Sequence, residues 1–343
     1  MLCFGALAPL APGIARRIGT RAALAASLVA LLAGLLIRLA PGLGPLFFGT
    51  ALAGGAIAVA NVLLPVLVRH QYSRHTGILT GLYTTALIAF AAIAAAASVP
   101  AANVLGGGWR PGLAIWAVPA ALALVAWLPA LRDAHPEAGR GSEERAALNR
   151  RLLRSPLAWA VTLFFGLQSA GFYGALAWLP SIYHSHGASV TEGGVLLGFS
   201  MIIGLAPALL VPVAAVRARD QRLLALLCTA CIALGWLGLL LAPMAAPFAW
   251  AALLGLGQQG AFPLAITIIV LRSASATETA ALSTLAQTIG YLLAAGAPVG
   301  LGALHELSGS WGPAVALLFA LTLPQGLLGL LAGRGQAASR GRR

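Results

Sequence analysis

Apolar residues in this chain run on for about twenty positions at a time, and polar residues are confined to short clusters between the runs. Neither the two-residue alternation of a half-buried strand nor the one-sided stripe of a surface helix is present. The runs fall at about 1–15, 22–40, 46–68, 76–100, 111–131, 156–180, 191–216, 223–242, 248–271, 279–303 and 312–332. About 20 residues in a helix cross the ~30 Å hydrocarbon core of a bilayer. In lipid every backbone N–H and C=O must find its partner within the protein, which leaves helices or closed barrels. A barrel would alternate apolar and polar residues, so the pattern predicts helices. The first of these eleven runs is too short to cross.

Composition agrees. Hydrophobic residues make up 60% of the chain and charged residues 8%, where a soluble domain carries roughly 25% charged residues. The net charge of +13 would suit a nucleic-acid partner, but its placement does not. Every basic residue other than His is an arginine. There are three at 16–21, two in 69–75, six in 132–155, three in 217–222, Arg272 and four in 333–343, which leaves only Arg38 and Arg110 elsewhere. If successive runs alternate sides, all but those two arginines share one side. The positive-inside rule makes that side cytoplasmic, together with the C-terminus. The expected location is a bacterial inner membrane, crossed many times. Residues 1–15 lack the basic start of a signal peptide, since Arg16 and Arg17 follow the run. Cys3, Cys228 and Cys231 lie in apolar stretches, and Cys228-x-x-Cys231 lacks the further ligands a metal site needs.

The halves on either side of 132–155 repeat at an offset of about 202 residues. Leu52–Arg69 lies over Leu254–Arg272 with one inserted residue. Thr76–Pro100, followed by Gly108-Trp109, lies over Thr279–Pro298, followed by Ser310-Trp311. Leu7-Ala8-Pro9 before Arg16 and Arg17 matches Leu205-Ala206-Pro207 before Arg217 and Arg219. Two parallel halves joined by a long cytoplasmic loop resemble the major facilitator layout of six helices per half. On that count the run 156–180 has no mate in the first half, so helix 1 is missing and the runs are helices 2–12. The expected fold is an all-α membrane protein of two pseudo-symmetric helical bundles. Residues 1–131 form the first bundle with a partial helix 2, 132–155 the central loop, 156–332 the second bundle, and 333–343 a basic tail.

Polar side chains within spans are costly and turn towards a cavity or a neighbouring helix. They concentrate on helices 4, 5, 7, 8, 10 and 11 of that count: Asn61; Tyr83, Thr84 and Thr85; Thr162, Gln168 and Tyr173; Ser200; Gln258, Gln259 and Thr267; Gln287, Thr288 and Tyr291. Single hydroxyls read most simply as interhelical glue, worth about 0.6–2 kcal/mol each. Amides offer four hydrogen-bonding sites apiece, so Asn61, Gln168, Gln258, Gln259 and Gln287 suit a small polar ligand. Tyr83, Tyr173 and Tyr291 would wall it, with Thr84 beside them. No Asp, Glu, Lys, Arg or His lies in mid-span, so no catalytic group, metal or cofactor is expected. Gly77-x-x-x-Gly81 permits close helix packing, and Pro65, Pro207, Pro212, Pro263 and Pro298 predict kinks.

Pro12-Gly-Ile-Ala-Arg16-Arg17-Ile-Gly19-Thr-Arg21 is similar to the superfamily loop G-x-L-A-D-R-x-G-R-R, with Arg16 replacing the acid. With Asn61-Val-Leu-Leu-Pro65, Thr80-Gly-Leu-Tyr83-Thr-Thr-Ala86 and Phe164-Phe-Gly-Leu-Gln168-Ser, the chain resembles the cyanate and 2-nitroimidazole transporter branch. That resemblance implies alternating access around a midplane site, with Arg17 and Arg21 at the gating-loop positions. It implies transport, active or facilitative, of a small polar or anionic solute such as cyanate-like or nitroimidazole-like compounds. The partners are then the solute and the bilayer, not nucleic acid; the coupling ion stays open, a proton being one candidate. The alternative is a truncated, non-transporting remnant or membrane binding scaffold. An integral-membrane enzyme would need converging His, Asp, Glu or Cys at membrane depth.

Overall fold

The computed structural model describes residues 1–104, 109–133 and 142–335, which are helical apart from short turns, with no strand among them. Gly108, residues 134–141 of the central segment and the tail beyond 335 lie outside the described residues. The helices are α1 (Leu2–Leu7), α2 (Ala11–Ile18), α3 (Thr20–Ile37), α4 (Leu43–Gln71), α5 (Thr76–Val104), α6 (Trp109–Ala114), α7 (Ala117–Trp127), α8 (Ser142–Leu153), α9 (Pro156–Ser185), α10 (Val190–Ile203), α11 (Leu205–Arg217), α12 (Arg222–Leu241), α13 (Pro247–Arg272), α14 (Ala276–Ser308) and α15 (Gly312–Ala332). Ten spans among the described residues are long and apolar enough to cross a membrane. The stretch containing α1 and α2 is not one of them.

Local chemistry sets the helix ends. Ser155 Oγ accepts from the Ala158 N–H at 3.3 Å, and Pro156 follows at the first helical position of α9. Ser189 and Glu192 cap α10 reciprocally at 3.1 and 2.6 Å, satisfying two donors that helix geometry leaves free. Ser275 caps α14, and Gly309 stops that helix with φ +69°.

Three stretches differ from the expected runs and loops. The run 191–216 is two helices, α10 and α11, meeting at Gly204 just before Pro207, whose ring blocks helix continuation. The run 111–131 is α6 and α7 followed by a 3-10 turn, Leu128–Asp133. The stretch expected as a loop around Arg16 to Arg21 is helix on both sides of one residue, Gly19, whose φ of +86° reverses the chain in a single step. The central segment is also more structured than a loop. α8 turns Leu148 and Leu152, one helical turn apart, into the protein, and Arg151 Nη2 meets Glu278 Oε1 at 3.2 Å.

Buried apolar residues form two clusters, one drawn from Ala8–Leu67 and the other from Leu148–Ala332. In the second, α13 and α9 are central, with 16 of 26 and 15 of 30 residues buried. α9 packs on α14, α15, α13 and α10. The first group is more open. Only 6% of Trp109–Arg132 is buried, against 39% of its repeat mate Gly312–Ala332. Leu82, Leu87 and Phe90 on α5 and Val118, Leu122 and Val125 on α7 stay exposed. Their repeat mates α14 and α15 pack on α9 instead.

The two groups meet along two seams, α5 on α11 and α1 with α4 on α14. At the first, a Cβ built on Gly77 would lie 2.8 Å from the Pro212 carbonyl oxygen, and one on Gly81 2.6 Å from that of Leu209. The paired glycines bring the two backbones into contact. Arg69 Nη2 also donates to the Ala274 carbonyl at 3.4 Å, joining the arginine-rich ends of α4 and α14.

Candidate functional site

The polar side chains predicted to matter come from different helices and largely converge near the helix middles. Asn61 on α4 donates through Nδ2 to the Tyr291 hydroxyl on α14 at 3.5 Å. Gln287, one turn before Tyr291, donates through Nε2 to the Asn61 backbone carbonyl and to Ser283 Oγ, both at 3.0 Å. These bonds join the first group of helices to the second. The phenols of Tyr83 on α5 and Tyr173 on α9 lie within electrostatic reach of Tyr291. Gln258 on α13 faces α9, its Nε2 4.0 Å from a Cβ built on Gly171. Gln168 donates to Ser169 Oγ at 2.7 Å and is otherwise buried on α9.

Several of these groups keep unused hydrogen-bonding capacity. Tyr83 OH, Gln168 Oε1, Gln258 Nε2, Gln287 Oε1 and Thr288 Oγ1 are buried and find no protein partner. Buried polar atoms without partners cost about 1–3 kcal/mol each in a folded protein. A solute with several donors and acceptors would relieve that cost. Uncharged amides and phenols recognise by hydrogen bonding and ring contact and supply no acid, base or nucleophile.

An aromatic frame surrounds Tyr291. Phe4 on α1 and Phe165 on α9 meet its ring edge-on, at centroid distances of 5.4 and 5.2 Å, and Phe262 touches Phe165 at 5.9 Å. The sequence reading missed Phe4, Phe165 and Phe262. For Phe165 the signal was available, because it precedes Gln168 by three residues and so shares its helix face.

Other predicted residues sit elsewhere. Thr84 is in the α5–α11 seam, its Oγ1 donating to the Thr80 carbonyl at 2.7 Å and reaching the Ala208 carbonyl at 3.3 Å. Gln259 packs its methylenes over Gly204 at the α10–α11 junction, where a Cβ would lie 2.2 Å from Gln259 Cγ. Consecutive positions on a helix differ by about 100° in direction, so Gln258 and Gln259 cannot both face one point. Arg17 is exposed on α2. Arg21 binds Gln71 Oε1 at 3.0 Å and the Ala130 carbonyl at 3.4 Å, tying α3 to α4 and to the turn after α7.

A cavity of 580 Å³ opens on the arginine-rich side of the cluster, walled by Arg16, Leu63, Leu148, Leu152, Thr284 and Thr288 among others. It is not the polar cluster itself. Its walls are mainly apolar, Thr288 is their shared member, and the unsatisfied amides are not among its lining residues.

Against known proteins, residues 1–298 match the Major Facilitator Superfamily family model. The chain is 40% identical over 334 residues to the 2-nitroimidazole transporter of Escherichia coli (strain K12), covering 97% of this chain and 84% of that protein. It is 31% identical over 312 residues to the cyanate transport protein CynX of the same organism, covering 91% and 80%. Among solved structures, the E. coli fucose:proton symporter FucP shares the fold, with a TM-score of 0.73, 12% identity, and coverage of 97% of this chain and 89% of that one.

Proposed function

The chain belongs to the major facilitator superfamily, and from that membership we propose that it carries a small polar or anionic solute, cyanate-like or nitroimidazole-like, at the Asn61–Gln287–Tyr291 cluster. It is a multi-pass transporter of small solutes. Two relatives that match most of the chain are named for moving 2-nitroimidazole and cyanate, which sets the solute class proposed here. One observation carries the placement. Asn61 of the first helix group bonds both Tyr291 and Gln287 of the second, beside buried amide and hydroxyl atoms with no partner. A flat heteroaromatic ring with polar substituents suits such a site: the phenols would stack or edge against it while Gln258, Gln168 and Gln287 bond its rim.

Alternating access is the proposed mechanism, with the groups split by the segment 132–155 rocking about the α5–α11 and α1–α14 seams. The arginine-rich face is assigned to the cytoplasm of an inner membrane, on the weight of arginine there. Arg69 donates to the Ala274 carbonyl between the groups at that face, and the 580 Å³ cavity enters from the same face, reaching Thr288.

Uptake of 2-nitroimidazole and of cyanate into proteoliposomes, by the parent and by Asn61→Ala and Gln258→Ala, tests the reading. Loss of uptake, or a KM raised severalfold, is expected in both variants. Unchanged kinetics in both would remove the site assignment. Collapsing a proton gradient across the same vesicles separates coupled from facilitated transport.

A further inference from the structure

Away from the solute cluster, a second cleft of 510 Å³ opens at the arginine-rich face, lined by Arg69, His70, Ser73 and Arg74 on one side and by Ser275 and Ala276 on the other. From its geometry we infer that it binds a phosphate group. This does not rest on the solute reading.

The charge balance is one-sided. Two guanidinium groups and an imidazole line the cleft, and among the described residues neither Arg69 nor Arg74 has a carboxylate partner. Glu278, three residues beyond Ser275, is engaged: Oε2 accepts the Ala274 N–H at 2.8 Å, and Oε1 faces Arg151 at 3.2 Å. Arg69 spends one nitrogen on the Ala274 carbonyl, at 3.4 Å, which leaves the remaining donors of its fork for a ligand.

The opposite wall adds donors. Ser275 begins α14, a 33-residue helix. The first-turn N–H groups of Ala276 and Thr277 have no acceptor inside the helix, and the helix dipole favours negative charge there. Ser73 contributes a further hydroxyl.

Forked guanidinium donors, backbone N–H groups and hydroxyls around one space outnumber what the two oxygens of a carboxylate can accept. A phosphate, with three or four acceptor oxygens, satisfies them, and arginine forks match its geometry. The cleft is larger than a bare phosphate, so the group can carry a substituent. Two sources have this chemistry, an anionic phospholipid headgroup at the membrane surface and a free phosphate.

The cleft spans both helix groups, with Arg69 to Arg74 from the first and Ser275 and Ala276 from the second. A bound phosphate would add bonds across the contact that Arg69 already makes to Ala274. Parting the groups at this face would break the site, so phosphate would hold the ends of α4 and α14 together there.

The test uses the full chain. Thermal unfolding is followed in detergent with inorganic phosphate against chloride at matched ionic strength, and in phosphatidylcholine nanodiscs with and without phosphatidylglycerol. The proteins are the parent, Arg69→Gln/Arg74→Gln, the lysine counterparts Arg69→Lys/Arg74→Lys, and the exposed Arg217→Gln as control. Phosphate or phosphatidylglycerol should raise the midpoint of the parent and of the control. Each arginine removed should weaken binding about tenfold or more, and the lysine pair should fall between. Response to phosphate alone assigns a soluble ligand; response to phosphatidylglycerol alone assigns the headgroup; response to both assigns a site open to either. No response in the parent, or an undiminished response in the double glutamine variant, overturns the inference. If that variant does not fold, Ser73→Cys supplies the test. Its labelling by an anionic thiol reagent should slow severalfold in the presence of either ligand, and unprotected labelling overturns the inference in the same way.

Discussion

Gly81 is where the seam between the helix groups is most directly testable. Replacing a glycine by alanine inside a helix ordinarily stabilises, by about 0.5–1 kcal/mol, because glycine loses more backbone freedom on folding. At Gly81 the added Cβ would lie 2.6 Å from the Leu209 carbonyl oxygen and 3.3 Å from the Leu209 Cα. These are backbone atoms, with no rotamer to move, so α5 and α11 must part by several tenths of an ångström. Overpacking of that kind costs about 1–3 kcal/mol. Parting would also stretch the 3.3 Å contact from Thr84 Oγ1 to the Ala208 carbonyl, and interhelical bonds of this type are worth about 0.6 kcal/mol in membranes. The net expectation for Gly81→Ala is a loss of about 1–2 kcal/mol. Gly300 is the control, a glycine inside α14 with open space where a Cβ would go. Gly300→Ala should hold or raise stability. Thermal unfolding of the purified protein in one detergent reads both signs, and a fall of a few degrees is expected for Gly81→Ala. Gly81→Leu should fall further and lose uptake as well. If Gly81→Ala raises the midpoint as Gly300→Ala does, the backbone contact is wrong and the seam reasoning fails with it.

Other outcomes follow from single contacts. Arg272 donates through Nε to the Ala332 carbonyl at 3.0 Å and through Nη2 to Gln221 Oε1 at 2.5 Å, tying the arginine-rich ends of α13, α15 and α12. Arg272→Ala should cost about 2–3 kcal/mol in thermal or denaturant unfolding, and Arg272→Lys should recover only part, lacking the fork. Ser189→Ala removes half of a capping box and should cost about 1 kcal/mol in the same unfolding measurement, with Ser189→Asp close to neutral. A double-mutant cycle on Asn61→Ala and Tyr291→Phe should give a coupling of about 0.5–1 kcal/mol in solute binding; zero coupling would separate the two residues.

How far the sequence could be read depends on the kind of signal. Continuous apolar runs mark helices in lipid, because the only other structure that satisfies the backbone there, a closed barrel, would alternate apolar and polar residues, so the helical fold was legible. The repeat was legible for the same reason: it is carried by motifs such as Leu52–Arg69 over Leu254–Arg272. Breaks within runs were harder. Gly204 and Pro207 are both visible in the sequence, but only packing decides whether a proline bends a helix or divides it. α8 was hidden by its charge, since two leucines one turn apart barely register within an arginine-rich segment. The polar residues divide along the same line. A rule based on depth finds Asn61, Gln287 and Tyr291, yet it cannot tell Gln258 from Gln259 or Tyr83 from Thr84, because neighbours on a helix differ in direction and not in depth. Phe4 and Phe262 escaped because an apolar ring in an apolar run carries no contrast.

That distinction bears on the proposed transport cycle. The two kinds of contact between the helix groups respond differently to motion. The glycine seam at Gly77 and Gly81 is backbone against backbone, has no rotamers to absorb a displacement, and would act as a stiff pivot in that cycle. The contacts of Asn61 with Tyr291 and Gln287 are side-chain bonds at 3.0–3.5 Å beside unsatisfied atoms, and they can be exchanged for bonds to a solute at little cost. A solute that took over the Asn61 bonds would loosen the α4–α14 contact while the α5–α11 seam held. In that proposed cycle, binding would be coupled to movement without a charged residue at the site. A variant that fixes the central contact and spares the pivot, Asn61→Asp, should separate the two. It should keep the unfolding free energy within about 1 kcal/mol of the parent, because a carboxylic acid can still bond Tyr291, while slowing turnover. Rapid turnover with the acid in place would mean that the Asn61 contact is not the one that yields.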